Sequence, residues 1–114
     1  MAQIYHLAPT ERWRTWPAGA AYLPTEYAAD GFIHCTQGDA LMLQVANRFY
    51  HSVPGEFLLL VLDVDLLASP LKWERPADDL APLFPHIYGP INREAIIGER
   101  ALLRDDTGAF VGIV

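Results

Sequence analysis

The sequence predicts one α+β domain, residues 1–114, with two main helices and a larger number of short strands, mixed or mainly antiparallel. Three observations lead there. The chain has 114 residues and is 52% hydrophobic, which suits one core and excludes a disordered segment. Helical periodicity is confined to the first half. The second half is a series of short apolar runs punctuated by Pro and Gly, which disfavours a doubly wound parallel sheet.

Ile4 to Leu7 reads as a first strand, and Pro9-Thr10 opens a short helix through Trp16, ended by Pro17 and Gly19, with Trp13 and Trp16 on one face. Gly31 to Cys35 reads as a strand. Thr36-Gln37-Gly38-Asp39 has the form of a capping box, and the longest helix is expected over Asp39 to His51. Its apolar stripe is Leu41, Val45 and Phe49, with Met42 and Ala46 beside it. Pro54-Gly55 turns the chain into Glu56 to Val64, whose unbroken Phe57 to Leu62 run predicts a central strand covered on both faces. Leu71 to Glu74, Pro85 to Tyr88, Ala95 to Leu103 and Ala109 to Val114 complete the strands, the last two joined by a turn at Asp105 to Gly108.

Composition narrows the function. The net charge is −6, and seven Arg with Lys72 are scattered, so duplex nucleic acid is not an expected partner. No signal peptide or membrane span is read, and one cysteine, Cys35, fits a cytoplasmic setting without disulfides. There is no glycine-rich phosphate loop, His-Glu-x-x-His, Cys-x-x-Cys or Gly-x-Ser-x-Gly. The two serines, Ser52 and Ser69, fall in expected turns, which argues against a serine hydrolase.

Histidine stands out instead. His6, His34 and His86 each interrupt a short apolar segment, where an unpaired imidazole is costly. Each is individually explained by a bond to a backbone carbonyl; together they are expected to converge on one cleft as catalytic acid–base groups. His51, at the end of its helix, is assigned to the helix dipole or solvent. His34 and Cys35 are adjacent on a strand and point opposite ways, so both cannot ligate one ion, and no metal site is assigned. Cys35 is weighed as a reactive thiol before a helix N-terminus against a small core residue. Ligand-binding roles are expected for Arg48 as an anion clamp, for Trp73 and Tyr88 as stacking rings, and for Glu74 and Asn92 as polar partners.

Taken together, Ile4-Tyr5-His6, Gly31 to Cys35, Val45 to Tyr50, Trp73-Glu74 and Phe84 to Pro90 resemble the domain of unknown function 952 family, small and mostly bacterial proteins. The resemblance covers nearly the whole chain and implies an ADP-ribosyltransferase-like fold, a split antiparallel β-sandwich around a dinucleotide cleft. In that fold a first-strand His or Arg holds the ribose, and His6 matches it. A later-strand Glu carries the transfer chemistry; no Glu here stands in a recognisable form of that motif, and Glu74 and Glu94 are the candidates.

The expected function is therefore a His-lined pocket binding or acting on a nucleotide-like small molecule, of the NAD or ADP-ribose type, or a phosphorylated one. The cofactor is open, with a NAD-like dinucleotide as candidate. Two alternatives stand beside it: a noncatalytic regulatory or interaction module with structural histidines, and a His-ligated metal-dependent hydrolase. Whether the protein is an enzyme, its reaction and its oligomeric state stay open at this level.

Overall fold

A computed structural model describes residues 2–75 and 83–114. The strands are β1 (Gln3–Pro9), β2 (Ile33–His34), β3 (Phe57–Asp63), β4 (Leu71–Glu74), β5 (Phe84–Ile87), β6 (Ile96–Arg104) and β7 (Phe110–Ile113). The α-helices are α1 (Thr10–Thr15), α2 (Tyr27–Asp30) and α3 (Asp39–Tyr50). All pairings are antiparallel, in a four-stranded sheet of order β1-β3-β6-β7 and a three-stranded sheet of order β2-β5-β4.

The expected central strand forms: all seven residues of β3 are buried. Alternation splits its side chains between two cores. Leu58, Leu60 and Leu62, with Ile4 and Ala8 of β1, meet Ile33 and Ile87 of the small sheet. Phe57 and Leu59 face the other way, against Met42 and Ala46 of α3. α3 thus covers one face of the large sheet and the small sheet covers part of the other.

Three local expectations are corrected. The strand read over Gly31 to Cys35 shortens to two residues, because Gly31 takes φ 79° to end α2 and Thr36 pairs with Tyr5 of β1 instead. That pairing draws Thr36 into the backbone, so no capping box forms; Gly38 precedes α3 without a side-chain cap. Asp39 instead accepts hydrogen bonds from Tyr5 Oη at 2.7 Å and Arg100 Nη1 at 3.0 Å. These bonds, Tyr5 foremost, hold its carboxyl below the ordinary carboxylate range. The buried stripe of α3 is Met42 and Ala46, while Phe49, expected in the core, is 53% exposed.

The α3 C-terminus is closed by a residue the sequence did not single out. Arg104 of β6 donates to the carbonyls of Tyr50 at 2.9 Å, His51 at 3.0 Å, Gly55 at 2.7 Å and Gly108 at 3.0 Å, and also to that of Val53. The guanidinium thus satisfies several carbonyls around the helix end at once, while His51, the C-cap residue, is exposed to solvent. No helix among the described residues is long and apolar enough to cross a membrane.

Candidate functional site

Pairing across the small sheet sets the site. His34 of β2, His86 of β5 and Lys72 of β4 are register partners, so they share the sheet face opposite to Ile33, Ile87 and Leu71. Phe84 and Glu74 follow on the same face. This face, the α2 segment and the C-terminal half of α3 enclose an open groove of about 790 Å³.

Aromatic rings wall it: Phe32, Phe49, Tyr50, Phe84 and Tyr88. The ring of Phe32 stacks on His86 with centroids 4.1 Å apart and planes at 26°. His34 and His86 stand edge to face at 5.4 Å. Each imidazole is held by a carboxylate: His86 Nδ1 lies 2.8 Å from Glu74 Oε1, and His34 Nε2 lies 2.9 Å from Asp30 Oδ2. Tyr88 donates to the same Glu74 oxygen at 2.5 Å. The bonds from Tyr88 and then His86 hold the Glu74 carboxyl below its ordinary range, and the carboxylate pushes the Tyr88 phenol up. Among the described residues the lining carries Glu26, Asp30 and Glu74 against Arg75, with Lys72 on the same sheet face.

His6 stands behind this groove. It shares a face of β1 with Ile4 and Ala8, turned into the core between the sheets, and is 5% exposed. Its Nδ1–H donates to the His34 carbonyl at 2.8 Å, while Nε2 is buried with no partner among the described residues. A cavity of about 40 Å³, lined by His6, Phe32 and His34 among others, adjoins the groove. Burial pushes the His6 pKa down, which favours the neutral imidazole. The three histidines are thus linked without presenting three rings to one surface.

Other expected site residues lie elsewhere. Arg48 is exposed on α3, does not line the groove, and sits 5.6 Å from the Phe49 ring; the lining guanidinium is Arg75. Trp73 alternates with Glu74 on β4 and so faces away from the groove. Asn92 ties a loop, accepting from Ala68 N at 2.8 Å and donating to Leu66 O at 2.9 Å. Cys35 is buried, and desolvation raises its thiol pKa, which leaves it as a core residue. Sequence reading passed over Phe32, Asp30 and Glu26. Only the aromatic-glycine context of Phe32 offered a local signal, since its partners are distant in sequence.

The protein-family comparison matches residues 7–99 to a family described as protein of unknown function, DUF952. The chain belongs to the DUF952 family. The search of curated proteins gave no match. Among solved structures, the DUF952 chain is similar to protein CC0527 from Caulobacter crescentus. Its crystal structure is 25% identical with a TM-score of 0.78, covering 96% of this chain and 93% of that one. The solution NMR structure of CC0527 is 28% identical with a TM-score of 0.73, covering 95% and 90%. These neighbours support a small DUF952 α+β fold with two antiparallel sheets.

Proposed function

We propose that the groove binds a nucleotide-like small molecule and recognises it by its ring and sugar. The observation that carries this reading is the lining itself, in which aromatic rings and hydrogen-bonding imidazoles share one groove of about 790 Å³, within the size range of small-molecule sites. Rings in the lining suit a planar base, and His34, His86 and Glu74 suit hydroxyl and amine groups. The acidic lining opposes multiply charged phosphates, so the nucleoside part supplies the affinity. The ADP-ribosyltransferase-like resemblance, which implies a dinucleotide ligand, supports the same ligand class, and the one buried cysteine is compatible with a cytoplasmic setting.

A thermal-shift series with adenosine, ADP-ribose, NAD and divalent metals tests it. A bound ligand at about 100 times its dissociation constant stabilises the fold by roughly 2.7 kcal/mol. Adenosine is expected to stabilise at least as well as its phosphorylated relatives. No shift with any nucleoside or nucleotide sinks the proposal. The second reading, a noncatalytic module with structural histidines, would then hold; the His6 bond to a backbone carbonyl is the observation that favours it. No group of His, Cys, Asp or Glu suited to hold a metal ion occurs among the described residues, so a metal-dependent hydrolase has no specific support.

A further inference from the structure

We propose that His86 and His34 are a general base and a general acid, and that the groove hydrolyses an uncharged ester carrying an aromatic ring. This rests on the reading that the groove holds a ring-bearing small molecule, and adds a reaction to it.

The geometry around His86 is that of an oriented base. Glu74 accepts from Nδ1–H at 2.8 Å, which selects the tautomer whose Nε2 carries the lone pair. Phe32 stacks on the ring at 4.1 Å and fixes its plane. Glu74 is itself held by Tyr88 at 2.5 Å, so the carboxylate stays put and ionised. Glu74 takes Nδ1, so Nε2 is the nitrogen left to accept a proton, on a side chain 7% exposed. His34 mirrors the arrangement with its nitrogens exchanged: Nε2 is engaged by Asp30 at 2.9 Å, leaving Nδ1 for the reaction. A centroid separation of 5.4 Å lets one reacting group touch both rings.

The neighbours select the chemistry. The thiol of Cys35 is buried and its pKa raised, Thr36 is 3% exposed, and neither serine lines the groove, so no Cys, Ser or Thr nucleophile is ready among the described residues. Water is then the nucleophile. The acidic lining disfavours phosphate esters and leaves uncharged ones.

The step balances with water alone. As the water oxygen bonds to the acyl carbon, its proton passes to His86 Nε2. The carbon–oxygen bond to the leaving group breaks, its electron pair stays on that oxygen, and the His34 imidazolium supplies a proton from Nδ1. The products are a carboxylic acid and an alcohol, and solvent exchange restores the two imidazoles. Glu74 and Asp30 are positioning residues.

Three probes test this: p-nitrophenyl acetate, whose leaving group needs no acid; phenyl acetate, whose leaving group does; and acetophenone, which binds without a bond to hydrolyse. Wild-type protein is expected to hydrolyse both esters saturably and faster than equimolar imidazole. His86→Gln should lower kcat for both about 100-fold with acetophenone affinity unchanged. His34→Gln should slow phenyl acetate about 10-fold more than p-nitrophenyl acetate. Glu74→Gln should lower kcat for both esters with acetophenone affinity unchanged, since the amide no longer fixes the tautomer of His86. Acetophenone binding without turnover above imidazole overturns the acid–base pair alone; absence of both acetophenone binding and stabilisation by adenosine overturns the groove reading as well. Should His86→Gln fail to fold, the leaving-group comparison on His34→Gln, a side chain 58% exposed, decides the matter.

Discussion

His6 donates its Nδ1–H to the carbonyl of His34 across 28 residues of sequence, joining the inner face of β1 to the strand that carries the groove. The bond commits one ring nitrogen and leaves the other as a buried lone pair without a partner among the described residues. Two sheets that share no continuous ladder are thereby tied at the point where Tyr5 and Thr36 also bridge.

The first prediction concerns pH. Burial lowers the folded-state pKa of His6 below its ordinary 6.5, so below that pH the unfolded chain binds a proton that the fold resists. Stability is therefore full above pH 6.5 and falls as the pH drops toward the folded value, by at most about 1.4 kcal/mol per pH unit. Urea denaturation of His6→Phe between pH 7.5 and 5 should show a shallower fall than wild type. Parallel curves would mean that His6 contributes nothing to the acid sensitivity.

The second prediction concerns the end of α3. Arg104→Met removes the donors to several carbonyls and should cost roughly 2–4 kcal/mol, since bonds involving a charged group are the stronger ones. A loss under about 0.5 kcal/mol in equilibrium denaturation would show that solvent caps those carbonyls equally well.

The same corner contains Gly108 at φ 93°, where an added Cβ would lie 2.7 Å from the His51 carbonyl oxygen. Gly108→Ala combines a conformation that side chains rarely adopt with a backbone clash. It should destabilise by about 1–3 kcal/mol in the same assay. An unchanged midpoint would contradict this account of the turn.

Asn47 supplies the third tie of α3. Its side-chain amide donates to Phe110 O at 2.9 Å and accepts from Phe110 N at 2.7 Å, in the manner of a neighbouring strand, and so docks β7. Asn47→Asp keeps the acceptor but loses the donor. Amide exchange at Phe110 should stay slow in Asn47→Asp and accelerate markedly in Asn47→Ala; equal exchange in wild type and Asn47→Ala would count against the contact.

Two neighbours on α3 should behave oppositely in ligand titrations. Phe49 lines the groove and is half exposed, so Phe49→Ala should leave stability nearly unchanged yet weaken adenosine by about 1–3 kcal/mol of stacking. Arg48 does not line the groove, and Arg48→Lys should leave adenosine affinity within about twofold. Isothermal titration of both variants separates the two positions; a large loss in Arg48→Lys would return the guanidinium to the site.

What the sequence determined by itself is what local pattern can carry. The unbroken Phe57 to Leu62 run specified a strand buried on both faces, and the stripe of Leu41, Val45 and Phe49 specified the extent of α3 though not the face it buries, which is that of Met42 and Ala46. Histidines inside apolar segments marked His34 and His86 for the same reason, since their polarity was locally out of place. Tertiary structure alone decided which faces met. Register placed His34 opposite His86 and turned Trp73 away, the Tyr5–Thr36 bridge displaced the capping box, and Arg104 reached the end of a helix some fifty residues earlier. In a strand, a shift of one residue exchanges inside for outside, and a long side chain takes whichever partners the folded chain delivers. Neither effect leaves a trace in local spacing, so the groove lining and its carboxylate–imidazole pairs emerge only from the packing of distant segments.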